Sequence, residues 1–177
     1  MPHNTNTLSP CTTPTNLLAL DEKGIGQLVQ QFGWPRYRTG QIMRWLYQRG
    51  AKDINQMTDL GCSERTALAA HATIPRAASW KVFRSTDHTR KLVLTLNDGL
   101  TVETVLIPDE DRLTLCVSTQ VGCTLDCGFC LTGRMGLKRN LKPFEIMEQV
   151  LTAQDRLEPG ERITNLVFMG MGEPLAN

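Results

Sequence analysis

The sequence predicts an α/β fold: a helical N-terminal region and a β-hairpin, followed by the first β/α units of an incomplete parallel barrel. Three patterns carry this expectation. Ile42, Trp45 and Leu46 follow helical spacing between the chain-breaking Gly33 and Gly50. Asn97-Asp98-Gly99 separates two extended runs, 90–96 and 100–107, as in a hairpin. Further on, an apolar run 113–118, a helical stretch opened by Pro143 and a second apolar run 163–169 come in the order a parallel crossover requires.

Taken in order, residues 1–16 are rich in Thr, Pro and Asn and hold no Asp, Glu, Lys or Arg, which predicts a disordered tail. Residues 17–79 read as a small domain of short helices, with Thr39 and Ser63 as expected N-caps. Residues 80–109 read as the hairpin, a connecting segment. Residues 110–177 open the barrel, and Pro143 suits the first turn of a helix reaching about residue 157. Ile146, Met147, Val150 and Leu151 give that helix an expected apolar face.

A net charge of +1 says little about partners, but local charge says more. Between Trp34 and Lys52 stand Arg36, Arg38, Arg44, Arg49 and Lys52 with no acidic residue, interleaved with Trp34, Tyr37, Trp45 and Tyr47. Cations neutralise phosphates and aromatic rings stack on bases, so this segment is a candidate RNA contact. The same pattern also describes a helix with a solvated basic face. A second basic stretch, Arg134, Lys138, Arg139 and Lys142, follows the cysteine-rich loop. No apolar run approaches the roughly 20 residues of a membrane span. The polar start lacks a signal peptide's basic and apolar blocks, which predicts a cytoplasmic chain.

The chemistry-bearing feature is Cys123-Thr-Leu-Asp-Cys127-Gly-Phe-Cys130, which offers three thiolates from one loop. A [4Fe-4S] cluster takes four cysteines, so a three-cysteine site leaves one iron to bind something other than protein. Structural zinc needs a fourth ligand, and the nearest cysteine, Cys116, lies upstream in a strand-like run. Disulfides belong to secreted chains. Cys11 and Cys62 stand alone and receive no role. Downstream, the run 163–169 ends in Gly170-Met-Gly172-Glu173-Pro174, in isolation an ordinary turn.

Together these motifs resemble the radical S-adenosylmethionine superfamily. The sequence around 102–108, 115–123, 139–141 and 165–177 narrows the resemblance to the RlmN/Cfr family of RNA adenosine methyltransferases. That resemblance implies a partial radical S-adenosylmethionine barrel of TIM type, with Cys123, Cys127 and Cys130 holding a [4Fe-4S] cluster. It places Phe129 near the adenine of S-adenosylmethionine and Gly170, Gly172 and Glu173 at its methionine end. Glu103, which by pattern alone is a strand residue pointing to water, falls where the family has a proton acceptor. Cys116 matches the family's resolving cysteine, which forms a transient disulfide as product leaves. The implied activity is methylation of adenine C2 in 23S rRNA and tRNA. Adenine C8 methylation is the nearest alternative, and a non-catalytic metal-bearing RNA-binding fragment is the alternative of another class. The resemblance also implies an electron donor such as flavodoxin or ferredoxin and a monomeric enzyme. The chain ends at Asn177, before the family's C-terminal methyl-carrying cysteine, which predicts a truncated product unable to methylate alone.

Overall fold

The computed structural model describes residues 14–77 and 79–177, so Cys11 and most of the expected tail lie outside the described residues. The chain forms two compact units that divide between Pro75 and Arg76.

In the first unit, strand β1 (Thr15–Asn16) pairs in parallel with β2 (Ala72–Thr73). The tail expected to reach Asn16 therefore gives way earlier, because Thr15 and Asn16 are held by this ladder and the Asn16 side chain accepts the Leu18 N–H at 2.8 Å. Helix α1 (Glu22–Gln31) is capped by Asp21, whose side chain accepts the Gly24 N–H at 2.7 Å. It ends at Gly33, which has φ +69°. Helix α2 (Tyr37–Tyr47) buries Ile42 and Leu46. Thr39, expected as its cap, lies inside it, because the helix starts directly after Arg36 without a side-chain cap. Helix α3 (Cys62–His71) starts after Gly61 rather than at Ser63. Glu64 reaches back to accept the Gly61 N–H at 2.6 Å, the returning half of a capping box, while Gly61 leaves the helix without a side-chain N-cap.

The second unit is built on a five-stranded sheet, four antiparallel strands followed by one parallel strand at the edge. Its antiparallel part is a meander of β3 (Ser79–Arg84), β4 (Arg90–Thr95), β5 (Thr101–Asp109) and β6 (Arg112–Cys116). The β4–β5 turn lies at Asn97-Asp98-Gly99, with Gly99 at φ +81°. Hairpin and first barrel strand thus belong to one sheet, and β3 adds a strand not foreseen. After β6, the short β7 (Gln120–Val121) precedes the cysteine loop, and α4 (Leu131–Arg134) and β8 (Arg139–Asn140) follow it. Helix α5 (Pro143–Gln154) then crosses over to β9 (Asn165–Val167), which pairs in parallel with β6.

Strand alternation divides the two faces of this sheet. Leu92, Leu94, Val102, Leu106, Leu113 and Leu115 face a core completed by Val117, Val121, Leu141 and Ala153, with Ile146 and Val150 packed against it. The buried side of α5 is more polar than its apolar spacing suggests, since Glu145, Glu148, Gln149 and Thr152 are buried while Met147 is half-buried. For Glu145 and Gln149 the reason lies in their partners: Arg139 donates to both oxygens of Glu145 at 2.8 Å, and Gln149 bonds the backbone of Ser118, whereas Glu148 Oε1 and Thr152 Oγ1 are buried without a hydrogen-bond partner among the described residues. Among the described residues, no helix is long and apolar enough to cross a membrane.

Candidate cofactor-binding site

Parallel pairing of β6 with β9 decides what meets at the carboxyl end of the sheet. Cys116 is opposite Val167, and backbone bonds continue past both strands. Val117 N–H donates to the Val167 carbonyl at 2.9 Å, and the Thr119 and Gln120 N–H groups donate to the Met171 carbonyl at 2.8 and 3.1 Å. The segment after β6 leads into the cysteine loop and the segment after β9 is Gly170–Pro174, so the two motifs emerge side by side. The C-terminal edge of parallel strands is where barrel enzymes place their chemistry.

The cysteine loop is closed at its base by β7–β8 pairing, Gln120 with Asn140 and Val121 with Arg139. Lys138 N–H reinforces it by donating to the Val121 carbonyl at 2.8 Å. Cys123, Cys127 and Cys130 are all half-buried free thiols, while Phe129 beside Cys130 is 94% exposed. The Leu125 N–H donates to Cys123 Sγ at 3.3 Å. The Gly133 backbone N–H, aided by that of Thr132, holds the Cys130 thiol below its ordinary pKa. Among the described residues no three His, Cys, Asp or Glu side chains are already converged for a metal. The donor set nevertheless suits an iron–sulfur cluster: three thiols of one loop, partly withdrawn from water, with backbone N–H groups aimed at sulfur.

The glycine turn is packed against the root of that loop. A Cβ on Gly170 would sit 2.7 Å from Ser118 Oγ, and one on Gly172, at φ +101°, would sit 2.6 Å from Gln120 Cβ. Only glycine permits such an approach with that backbone. Ser118 Oγ donates to the Glu103 carbonyl at 2.5 Å and accepts the Met171 N–H at 2.9 Å, and Glu173 N–H donates to Gln120 Oε1 at 3.0 Å. The Glu173 side chain accepts the Leu175 N–H at 3.0 Å.

Glu103 and Cys116 share the sheet face opposite the core. Val105 is the cross-strand partner of Cys116 and Glu103 lies two residues before it, a diagonal of roughly 7–8 Å between backbones. Lys91 Nζ donates to Glu103 Oε1 at 2.9 Å. Cys116 is 8% exposed, and burial pushes its thiol pKa up against the opposing Met169 N–H. Ser118, Gln120 and Gln149 were not foreseen as part of this site. Their one sequence signal is a polar interruption at 118–120 in a strand-like run; nothing marked Gln149.

The basic residues of the first unit separate into two groups. Arg38 is held inside the fold, with Nη2 2.8 Å from Glu64, Nε 3.1 Å from the same carboxylate and Nη1 2.6 Å from the Asp59 carbonyl. Arg49 lies over the Trp45 ring at 4.3 Å and 3.5 Å from Asp59. Arg36, Arg44 and Lys52 are exposed, as is Tyr37. In the second unit, Arg139 is spent on Glu145 and on Asp98 at 2.7 Å, rather than being a free loop cation.

Comparison with known proteins places this architecture among radical S-adenosylmethionine methyltransferases. A solved radical SAM methyltransferase from Sphaerobacter thermophilus superposes with a TM-score of 0.81 at 39% identity, covering 92% of this chain and 48% of that one. Residues 15–74 match the model of the ribosomal RNA large subunit methyltransferase N-terminal domain. The chain is 49% identical over 165 residues to a probable dual-specificity RNA methyltransferase RlmN of Synechocystis, spanning 93% of this chain and 46% of the relative. It is 50% identical over 141 residues to the dual-specificity RNA methyltransferase RlmN of Desulfosudis oleivorans, spanning 80% of this chain and 38% of that relative. The chain belongs to the RlmN family and spans about half the length of the curated relatives it matches.

Proposed function

We propose that this chain carries the cofactor-binding portion of a radical S-adenosylmethionine methyltransferase acting on C2 of adenine in 23S rRNA and tRNA. The observation that carries the reading is the fastening of the three-cysteine loop beside the glycine turn, at the carboxyl ends of the parallel pair β6 and β9. Cys123, Cys127 and Cys130 would hold the [4Fe-4S] cluster, while Gly170, Gly172 and Glu173 would hold the methionine end of S-adenosylmethionine. When bound, these groups supply one-electron chemistry that yields a carbon radical, the route open at an electron-poor carbon such as adenine C2.

The chain's own side chains do the rest. Phe129, exposed at the rim of the loop, offers a ring against which adenine packs. The Glu103 carboxylate, on the open face of the sheet, accepts the proton that leaves C2, and Lys91 at 2.9 Å orients it. Cys116 would supply the sulfur nucleophile that attacks the cysteine sulfur carrying the product, forming a disulfide as the sulfur–carbon bond breaks and its electron pair, with a proton, goes to the departing methyl carbon. Burial raises the Cys116 thiol pKa, so the fold holds this sulfur protonated more firmly than an exposed cysteine. Arg36, Arg44 and Lys52 present exposed cations to RNA phosphate. The reading includes an electron donor such as flavodoxin or ferredoxin, a cytoplasmic setting and a monomer.

Anaerobic reconstitution with iron and sulfide tests the assignment, with iron, sulfide and zinc measured per chain beside a Cys123/Cys127/Cys130 triple-alanine control. About four irons and about four sulfides, lost in the control, are expected. Stoichiometric zinc without sulfide would refute the cluster and favour a metal-bearing RNA-binding module.

A further inference from the structure

Building on the assignment of the cysteine loop to a cluster and of the glycine turn to S-adenosylmethionine, we infer that Gln120 is a positioning residue that couples the two. Its carboxamide sets the glycine turn against the cysteine loop, so that ordering one orders the other.

Gln120 is fully buried, and each of its four side-chain hydrogen-bonding positions has a partner. Oε1 accepts the N–H of Thr124, the residue after Cys123, at 3.3 Å, and the N–H of Glu173 at 3.0 Å. Nε2 donates to Asn140 Oδ1 at 2.9 Å and to the Ala176 carbonyl at 3.4 Å. One oxygen therefore joins the cysteine loop to the glycine turn, 49 residues apart between Thr124 and Glu173. The nitrogen keeps that oxygen aimed by holding the strand that closes the loop. Ser118 bonds the turn through Met171 but not the loop, so it fixes one motif without linking it to the other. Main-chain contact adds to the effect, since Gln120 N–H donates to the Met171 carbonyl and Gln120 Cβ fills the space where Gly172 lacks a side chain.

A leucine at this position keeps the volume and removes all four bonds, leaving the part-buried N–H groups of Thr124 and Glu173 without their shared acceptor. A glutamate keeps both acceptor bonds, with the Asn140 amide turned to donate. The two substitutions therefore separate the acceptor link from mere filling of space.

Hydrogen exchange of the 177-residue chain, read by mass spectrometry in the peptides holding Thr124 and Glu173, tests the coupling. In metal-free protein, Gln120→Leu is expected to speed exchange at both sites by about three- to tenfold while β4 and β5 stay protected. Reconstituting the cluster is expected to slow exchange at Glu173 in the parent chain and in Gln120→Glu, but not in Gln120→Leu. Equal exchange at Glu173 in metal-free parent and Gln120→Leu would overturn the inference, as would equal slowing on cluster loading. A parent chain that takes up no iron would instead overturn the cluster assignment, with the metal-free comparison still deciding the coupling. Should Gln120→Leu lose β4–β5 protection, Asn140→Ala releases one anchor of the carboxamide from a strand end, and the same comparison at Thr124 and Glu173 decides.

Discussion

Gly122→Ala is the sharpest perturbation of the cysteine loop that leaves every thiol in place. Gly122 stands directly before Cys123 at φ +80°, and a Cβ there would overlap the Gly136 carbonyl oxygen and lie 2.9 Å from its carbon. The obstacle is backbone from the far side of the loop, so no side chain can swing away. The left-handed conformation costs alanine about 1–2 kcal/mol, and overpacking against fixed atoms adds about 1–3 kcal/mol. The total is about 2–5 kcal/mol, and with a urea slope of roughly 2 kcal/mol per molar the unfolding midpoint falls by roughly 1–2.5 M. The assay is tryptophan fluorescence in a Trp34→Phe/Trp45→Phe background, where Trp80 reports on the second unit alone. Gly128→Ala is the control, because its Cβ meets nothing within 4 Å and its φ is not left-handed. Equal midpoints for the two variants would refute the packing argument. The Gly122 variant should also take up less iron, since β7 and β8 can no longer close beneath the thiols.

Other perturbations separate residues that sequence alone grouped together. Arg36→Ala and Arg44→Ala should weaken RNA binding and lower its salt dependence by about one unit of slope for each phosphate no longer neutralised, while changing stability by less than about 0.5 kcal/mol. Arg38→Met should instead destabilise the first unit by about 2–3 kcal/mol, because it strips Glu64 and the Asp59 carbonyl of a part-buried partner; a thermal melt decides. Iodoacetamide at pH 8 should modify exposed Cys62 at least about tenfold faster than buried Cys116, and comparable rates by peptide mass spectrometry would contradict the raised thiol pKa. Burial first, and then the Glu145 charge, push the Glu148 carboxyl from 4.5 up to about 7, with Arg76 opposing. The folded state therefore holds that proton more tightly than the unfolded chain, so this group's contribution to stability is full below about pH 4.5 and is lost as pH rises through about 7, a change of about 2–3 kcal/mol after solvent screening. Glu148→Gln should flatten that decline, and an unchanged pH profile in urea melts would count against it.

Features with a local cause were legible in the sequence. Asn97-Asp98-Gly99 makes its turn because Gly99 supplies the positive φ, and Pro143 starts α5 because the first helical turn needs no N–H. The spacing of Cys123, Cys127 and Cys130 puts all three in one loop, and the structure keeps them there between β7 and α4. What the sequence hides depends on atoms distant along the chain. Ser63 and Thr39 satisfy the local rule for a cap, yet α2 and α3 both begin without a side-chain N-cap, and Glu64 instead reaches back to the Gly61 N–H. Arg38 looks like any other cation of its segment until Glu64 and Asp59 close around it. The polar side of α5 defeats a hydrophobicity pattern because Glu145 and Gln149 are buried by virtue of Arg139 and the Ser118 backbone. β3 escapes the same kind of pattern because Trp80 and Phe83 remain exposed on it, so no clean alternation of apolar and polar residues marks the strand.

The parallel ladder between β6 and β9 carries a kinetic consequence. The meander β3–β6 joins strands that are neighbours in sequence, so each pairing closes a short loop. Cys116 meets Val167 only after 51 residues have been brought back, and ladders of that kind are slow to form. The antiparallel scaffold should therefore be standing while the cysteine loop and glycine turn are still apart. Assembly of the site becomes the last act of folding, and delivery of iron and sulfide to a nascent chain would find thiols but no pocket to hold what they bind.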